Sequence, residues 1–399
     1  MALVVSASRM GREKGHEEAR RHARAAAPEA VESGGQTLTM GVEEEYLLVD
    51  RHSRAPVGRG PRVIRAMEAA GCRPQAEFFT AQVEVCTDPT ASTSRLRAEL
   101  AQLRATAAAA AAEEDCLIVA SGTSPLPPAD PLEVTPGERY LKMAARYAGT
   151  VGPYEDNVVC GCHVHIGSLH RWQALGLSNG MRPWLPVLQS LAVNSPFAHG
   201  RDTGYASWRA VEHARWPTVG PAPLLDEPGY ERLATALVQD GTLLDRGMIY
   251  WYARPSEHVP TLEIRVADVN AELDVVVLLA ALARGLASAL LVDVADGRPP
   301  PAVTDSALRE AHRRSAVHGL EGDGLDPVSG LSVSPWRRID DLLALAAPGL
   351  EAAGDMHLAE TLLGRLRTRG TGAVRQRAAH EHRRRLRDVV DHLARTACP

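Results

Sequence analysis

A chain of 399 residues that is 45% hydrophobic and 23% charged can bury a sizeable core, as one large domain or two tightly joined ones. Its formal charge of −5 is too small to make nucleic acid a general partner, and 4% aromatics leave the core to Leu, Val and Ala. Six cysteines lack the density of a secreted disulfide scaffold, and the apolar run Ala2–Val5 is too short for a signal-peptide core. These features predict a soluble, cytoplasmic protein.

Residues 1–36 read as a disordered N-terminal extension, charged and Ala-rich and closed by Ser33-Gly34-Gly35, ahead of a single domain over 37–399. Leu38–Val49 is apolar and β-prone apart from three consecutive glutamates, and Asp50-Arg51-His52-Ser53 supplies a turn. A second strand is predicted over about 75–87. It stops at Asp88-Pro89, and a long Ala-rich helix follows, N-capped by Ser92 or Ser94 and running to about Asp115. Cys116–Gly122 reads as a strand, residues 138–149 as a helix, Asn157–Gly167 as a strand and residues 181–194 as a helix. A loop rich in Gly, Pro and Trp covers about 195–228, a length that is uncommon unless functional. Thr261–Val269 is a further strand, and a helix begins near Ala271. The apolar stretch Leu273–Val292 within it carries Asp274 and Arg284, which suits a buried core helix better than a membrane span; the remainder is mostly helical. Strands spread between helices of unequal length, without regular alternation, favour an α+β fold over a doubly wound sheet.

Three strands present acids on one face. In a strand, residues two apart share a face, so Glu43 and Glu45 point together and Glu44 points away. Two like charges so placed repel unless a cation sits between them; the alternative is a solvated edge strand. Gln82 and Glu84 share a face in the same way, as do Glu263 and Arg265, for which a cross-strand salt bridge is the alternative. Carboxylate oxygens gathered on a sheet suit Mg2+ or Mn2+, which in turn suit phosphate-bearing substrates. Cys160-Gly161-Cys162-His163-Val164-His165 invites a zinc reading, but alternation puts Cys160 and Cys162 on one face and both histidines on the other, so the four converge only if the strand breaks at Gly161. Arg209, in the long loop, has the fork to clamp a carboxylate or phosphate, with an ordinary surface arginine as the alternative. The basic run Arg375, Arg377, Arg383, Arg384, Arg385 and Arg387 reads as a solvated helix face, with Arg375 or Arg377 reaching a nucleotide phosphate as a second reading. No Walker-type loop, dinucleotide fingerprint or nucleophile elbow is present.

Gly41-Val42-Glu43-Glu44-Glu45, Gln82-Val83-Glu84-Val85-Cys86-Thr87, Gly161-Cys162-His163-Val164-His165-Ile166-Gly167, Asp202-Thr203 through Arg209, and Glu263-Ile264-Arg265-Val266-Ala267-Asp268 occur in order. Together they resemble the carboxylate-amine ligases related to bacterial glutamate–cysteine ligase, type 2, over about residues 38–390. The resemblance implies a glutamine-synthetase-like fold: a curved antiparallel sheet of about six strands with helices packed outside. It implies ATP as co-substrate, with Mg2+ or Mn2+ held by Glu43, Glu45, Glu84, His165 and Glu263. Arg265 and Glu43 are then catalytic, and Arg209, Arg265, Gln82 and His163 contact substrate or nucleotide. The partners implied are an amino acid or other carboxylate and an amine, without nucleic acid or membrane, as a monomer or homo-oligomer. The reaction implied is amide formation through an acyl phosphate, with glutamate–cysteine ligase activity expected to be weak. Relatives often carry an arginine after the Asp-Thr pair; here Gly204 stands there, leaving Arg209 as the matched arginine. Two other readings remain at this point: a zinc hydrolase or zinc-binding protein built on Cys160, Cys162, His163 and His165, and a non-catalytic nucleotide or amino-acid sensor on the same fold.

Overall fold

A computed structural model of the chain describes residues 37–151 and 158–398, so the expected N-terminal extension over 1–36 lies outside the described residues. Chain order begins with β1 (Thr39–Asp50), α1 (Gly60–Ala69), β2 (Gln82–Cys86), α2 (Thr93–Glu113), β3 (Cys116–Val119), α3 (Glu138–Val151) and β4 (Gly161–Gly167). Next come α4 (Arg171–Met181), α5 (Leu185–Leu191), a short hairpin of β5 (Phe197–Ala198) and β6 (Arg201–Asp202), α6 (Arg209–His213) and α7 (Glu227–Gln239). Strands β7 (Ala253–Pro255) and β8 (Thr261–Asp268) lead into α8 (Leu273–Ala295) and α9 (Asp305–His318). A hairpin of β9 (Gly324–Leu325) and β10 (Ser332–Val333) precedes α10 (Pro335–Ala352), α11 (Met356–Arg369), α12 (Gly372–Arg383) and α13 (Leu386–Ala397).

Six antiparallel strands form one sheet in the order β2-β1-β4-β8-β7, with β3 also on β1. Leu47 pairs with Gln82 on one side and Val119 on the other, and Glu44 with Val85 and Cys162, so β4 and β3 follow one another along the same edge of β1. The α+β architecture expected from the sequence is the one observed. On one face Met40, Val42, Val164, Ile166, Leu262 and Ile264 pack against α8 and its neighbours. The opposite face carries the polar residues of β1, β4 and β8 and opens on a cavity.

Several element boundaries differ from expectation for local reasons. The strand predicted over 75–87 is confined to β2, because the chain turns at residues 79–81 and Gln75 comes back to bridge Glu84. Within the helix predicted over 181–194 only α5 is observed as a helix, with Pro186 in its first turn, and α4 before it was not expected. The predicted long loop contains the β5–β6 hairpin and α6. Ser92 does cap α2, its side chain accepting from the Arg95 N–H at 3.3 Å.

Among the described residues α8 is the one helix long and apolar enough to cross a membrane, and most of its length is buried inside the fold. Its approach to α10 depends on glycine, since a Cβ on Gly349 would lie 2.7 Å from the Gly285 carbonyl oxygen. Against the neighbouring helices, α9 buries His312, whose Nδ1 lies 2.6 Å from the Gln189 side-chain oxygen while Nε2 has no partner. Burial, and the charge of Arg309, push its pKa down to about 3. The unfolded chain takes up this proton near pH 6.5 and the folded one does not. The stability so contributed is present above that value and is lost as pH falls toward the folded pKa, at ~1.4 kcal/mol per pH unit. Urea denaturation at pH 7.5 and pH 5 should show the wild type losing ~2 kcal/mol more than His312→Gln. Equal losses would remove His312 from the acid response.

Candidate functional site: an acid-lined sheet face

The polar face of the sheet floors a cavity of about 530 Å³, which Glu43, Glu45, Gln82, Glu84, His163, His165, Arg209, Glu263 and Arg265 all line. Every site residue predicted from the sequence therefore reaches one place. Alternation does the work: Glu43 and Glu45 share this face, and β4 supplies both His163 and His165, opposite Glu43 and Gly41. Register on β8 contains a bulge, two residues (Arg265 and Val266) standing opposite His163, which re-aims Arg265 over the cavity.

Glu43 is the centre of the set. Its Oε2 lies 3.2 Å from His163 Nδ1 and its Oε1 3.1 Å from His165 Nε2. Burial acts to raise its pKa, but hydrogen bonding and charge from the two histidines outweigh it and hold the carboxyl far below the usual range. His163 is itself pushed down by burial and by Arg265, whereas His165, though buried, is raised by Glu43 and Glu263. Glu263 has both oxygens engaged, Oε2 by Arg254 Nε at 2.9 Å and Oε1 by Arg265. Those two guanidiniums overcome its burial and hold it well below the usual range. The alternative of a simple cross-strand pair is thus half right, since Arg254 on β7 is the cross-strand partner and Arg265 lies on the same strand.

Glu45 and Glu84 have the opposite balance. Burial and the neighbouring Glu77 raise both, Glu84 well above the usual range. Ligand atoms of Glu45, Glu77 and Glu84 lie within 4.8 Å of one another, as do those of Glu43, His165 and Glu263 and those of Glu43, Glu84 and Cys86. A divalent cation fits here: three crowded carboxylates lack matching positive charge, and Nε2 of His163 is buried without a hydrogen-bond partner. The Glu45–Glu77–Glu84 group has the least compensated charge, because Glu263 already holds two arginines. Cys86 stays a thiol, pushed far up by burial and by Glu84 and Glu43.

Arg209 is no surface arginine. It is 4% exposed, at the start of α6, and its guanidinium packs on Gly161, where a Cβ would lie 2.5 Å from Nη2. Its Nε, like that of Arg265, is buried with no partner, so donors remain unspent beside the cavity. A buried carboxylate fixes the start of this helix. Asp268 accepts from Ser195 Oγ at 2.7 Å and Ser207 Oγ at 2.8 Å, and Ser195 Oγ in turn accepts the Arg209 N–H at 3.1 Å. Gln82 lines the wall with its amide already engaged, Nε2 donating to the Val159 carbonyl at 2.9 Å.

Other expectations are corrected. Cys160 and Cys162 are buried in separate apolar clusters while the histidines face the cavity, so the zinc set of Cys160, Cys162, His163 and His165 does not converge. Arg375 stands near Glu272 and Arg377 grips Asp202 with two hydrogen bonds, and neither lines the cavity. Gly204 sits on an exposed turn at φ 79°, a conformation suited to glycine, away from the site. The sequence reading missed Glu77, Arg254, His213, Tyr250 and Arg139, all of which line the cavity.

The fold is similar to that of a solved glutamate–cysteine ligase. It aligns with the crystal structure of glutamate–cysteine ligase from Francisella tularensis in complex with AMP at a TM-score of 0.64 and 12% identity, covering 91% of this chain and 89% of that one. A bifunctional glutathione synthetase from Pasteurella multocida gives the same TM-score at 15% identity, over 90% of this chain and 52% of that one. The chain belongs to glutamate–cysteine ligase family 2, whose model matches residues 39–392. It is 44% identical over 359 residues to a Saccharopolyspora erythraea protein provisionally named glutamate–cysteine ligase 2-1, covering 89% of this chain and 94% of that one. A Salinispora arenicola protein, provisionally named glutamate–cysteine ligase 2, is 41% identical over 368 residues, covering 91% and 96%.

Proposed function

We propose that residues 37–399 act as one catalytic domain that joins a carboxylate to an amine at the expense of ATP, with glutamate and cysteine as the first pair to test. The observation that carries this reading is the convergence of Glu43, Glu45, Glu77, Glu84, His165 and Glu263 on one cavity that also holds the unspent donors of Arg209 and Arg265. Such a site accepts a polyphosphate with its cations and a second anion beside it. A substrate carboxylate oxygen attacks the γ-phosphorus and ADP leaves; the amine nitrogen then attacks the acyl carbon, loses its proton, and phosphate departs. The carboxylates and His165 would hold divalent cations, which neutralise phosphate oxygens when bound. Arg265 and Arg209 position the anionic groups, and His163, neutral and wedged among Glu43, Glu45 and Glu263, fixes the orientation of Glu43. Phe78, Trp216 and Tyr250, packed edge to face, line one wall with aromatic surface against which a base can rest. The AMP in the Francisella enzyme agrees with an adenine nucleotide.

The test is ATP-dependent ADP release across a panel of amino acids and amines, with products identified by mass. ADP should form with glutamate and cysteine, cease on chelation and return with Mg2+ or Mn2+. Tight ATP binding without turnover for any pair would favour the non-catalytic sensor. Stoichiometric zinc that resists chelation would favour a zinc protein.

A further inference from the structure

Outside this cavity, among the described residues, the buried guanidinium of Arg182 lacks a close partner. Arg182, just after α4, is 6% exposed, and its Nε is buried with no hydrogen-bond partner. The carboxylate oxygen nearest its guanidinium is Asp305 Oδ1, 3.9 Å from Nη2. Burial, with only this distant partner, pushes its pKa below the usual guanidinium value. Arg182 lines a groove of about 630 Å³ with Thr218, Val219, Pro221, Trp251 and Val303. Arg309 at the rim is already bound, its Nε donating to Asp305 Oδ2 at 2.8 Å.

The groove backs onto the catalytic cavity across a paired ribbon. Gly220 bridges Trp251, the Tyr250 N–H donates to Thr218 Oγ1 at 2.8 Å and the Tyr252 N–H to the Gly220 carbonyl at 2.8 Å. Along the ribbon Trp216 and Tyr250 face the cavity, whereas Thr218 and Trp251 face the groove.

We propose that this groove is a second binding site, for a small monocarboxylate with an apolar body, its carboxylate on Arg182 and its body against Trp251, Pro221 and Val219. One uncommitted guanidinium matches one carboxylate, in the planar geometry a fork of N–H donors prefers. A polyanion is disfavoured because Asp305 offsets one of the two arginines. The aliphatic and indole walls suit an apolar body.

N-acetyl-L-leucine titrated into the full-length protein by calorimetry tests this, with N-acetyl-L-leucinamide as the uncharged control. The carboxylate should bind saturably and the amide should not. Arg182→Met, which keeps the packing volume, should weaken binding about tenfold or more, the loss expected for a charge-assisted pair. Asp305→Asn, which removes the competing carboxylate, should tighten it, and this variant serves if Arg182→Met does not fold. Arg209→Met should leave binding unchanged. Equal binding of the amide, indifference to both Arg182→Met and Asp305→Asn, or loss on Arg209→Met would overturn the proposal.

Discussion

Arg104→Met is expected to destabilise the fold by about 3–5 kcal/mol, the range for removing one partner of a buried ion pair. Arg104 and Glu44 are both fully buried. Arg104 binds both oxygens of Glu44 and donates to the carbonyls of Ala271 and Asn270 at 2.7 Å each, and the Tyr46 hydroxyl donates to Glu44 at 2.6 Å. The pair joins the central strand β1, helix α2 and the turn between β8 and α8. Removing the guanidinium strands a carboxylate in the core and orphans two carbonyls. Glu44→Leu together with Arg104→Met should recover part of the loss, because no charge is then left unpaired. Urea denaturation measures both. A loss under about 1 kcal/mol in the single variant would show that the pair adds little beyond its shape.

Arg265→Ala should lower turnover on the order of 10³-fold or more while the melting transition changes little. The fold tolerates the change because Arg254 still compensates Glu263 through Oε2. Turnover should not, because the bulge on β8 aims the guanidinium at the cavity and its Nε is unspent. ADP release near the wild-type rate would sink the assignment of Arg265. A parallel loss of stability would instead make it a structural residue.

What the sequence discloses follows from the period of a strand. Separating Glu43 and Glu45 from Glu44 needs only alternation, and the same rule puts His163 and His165 on the cavity side. Glu77 was hidden because parity misleads there: it lies seven positions before Glu84, yet the turn at residues 79–81 folds the two onto one cavity. Arg254 sits on a strand of three residues ending in proline, too short to show a pattern. His213 belongs to a helix of five residues inside a stretch that composition marks as loop. Arg104 lies within an alanine-rich helix, where nothing local announces that its partner is the middle glutamate of a triplet 60 positions earlier. Long-range pairing of this kind leaves no periodic trace.

The peg formed by Asp268, Ser195 and Ser207 has a consequence for recognition. Arg209 is held at its backbone by that network, and its side chain packs on Gly161. A free arginine loses up to ~2 kcal/mol of rotamer freedom when a ligand immobilises it. Here that loss is incurred during folding, so an arriving anion meets a guanidinium already in place. Recognition at this wall is preorganised, and an anion a few tenths of an ångström out of position meets a donor that cannot follow it.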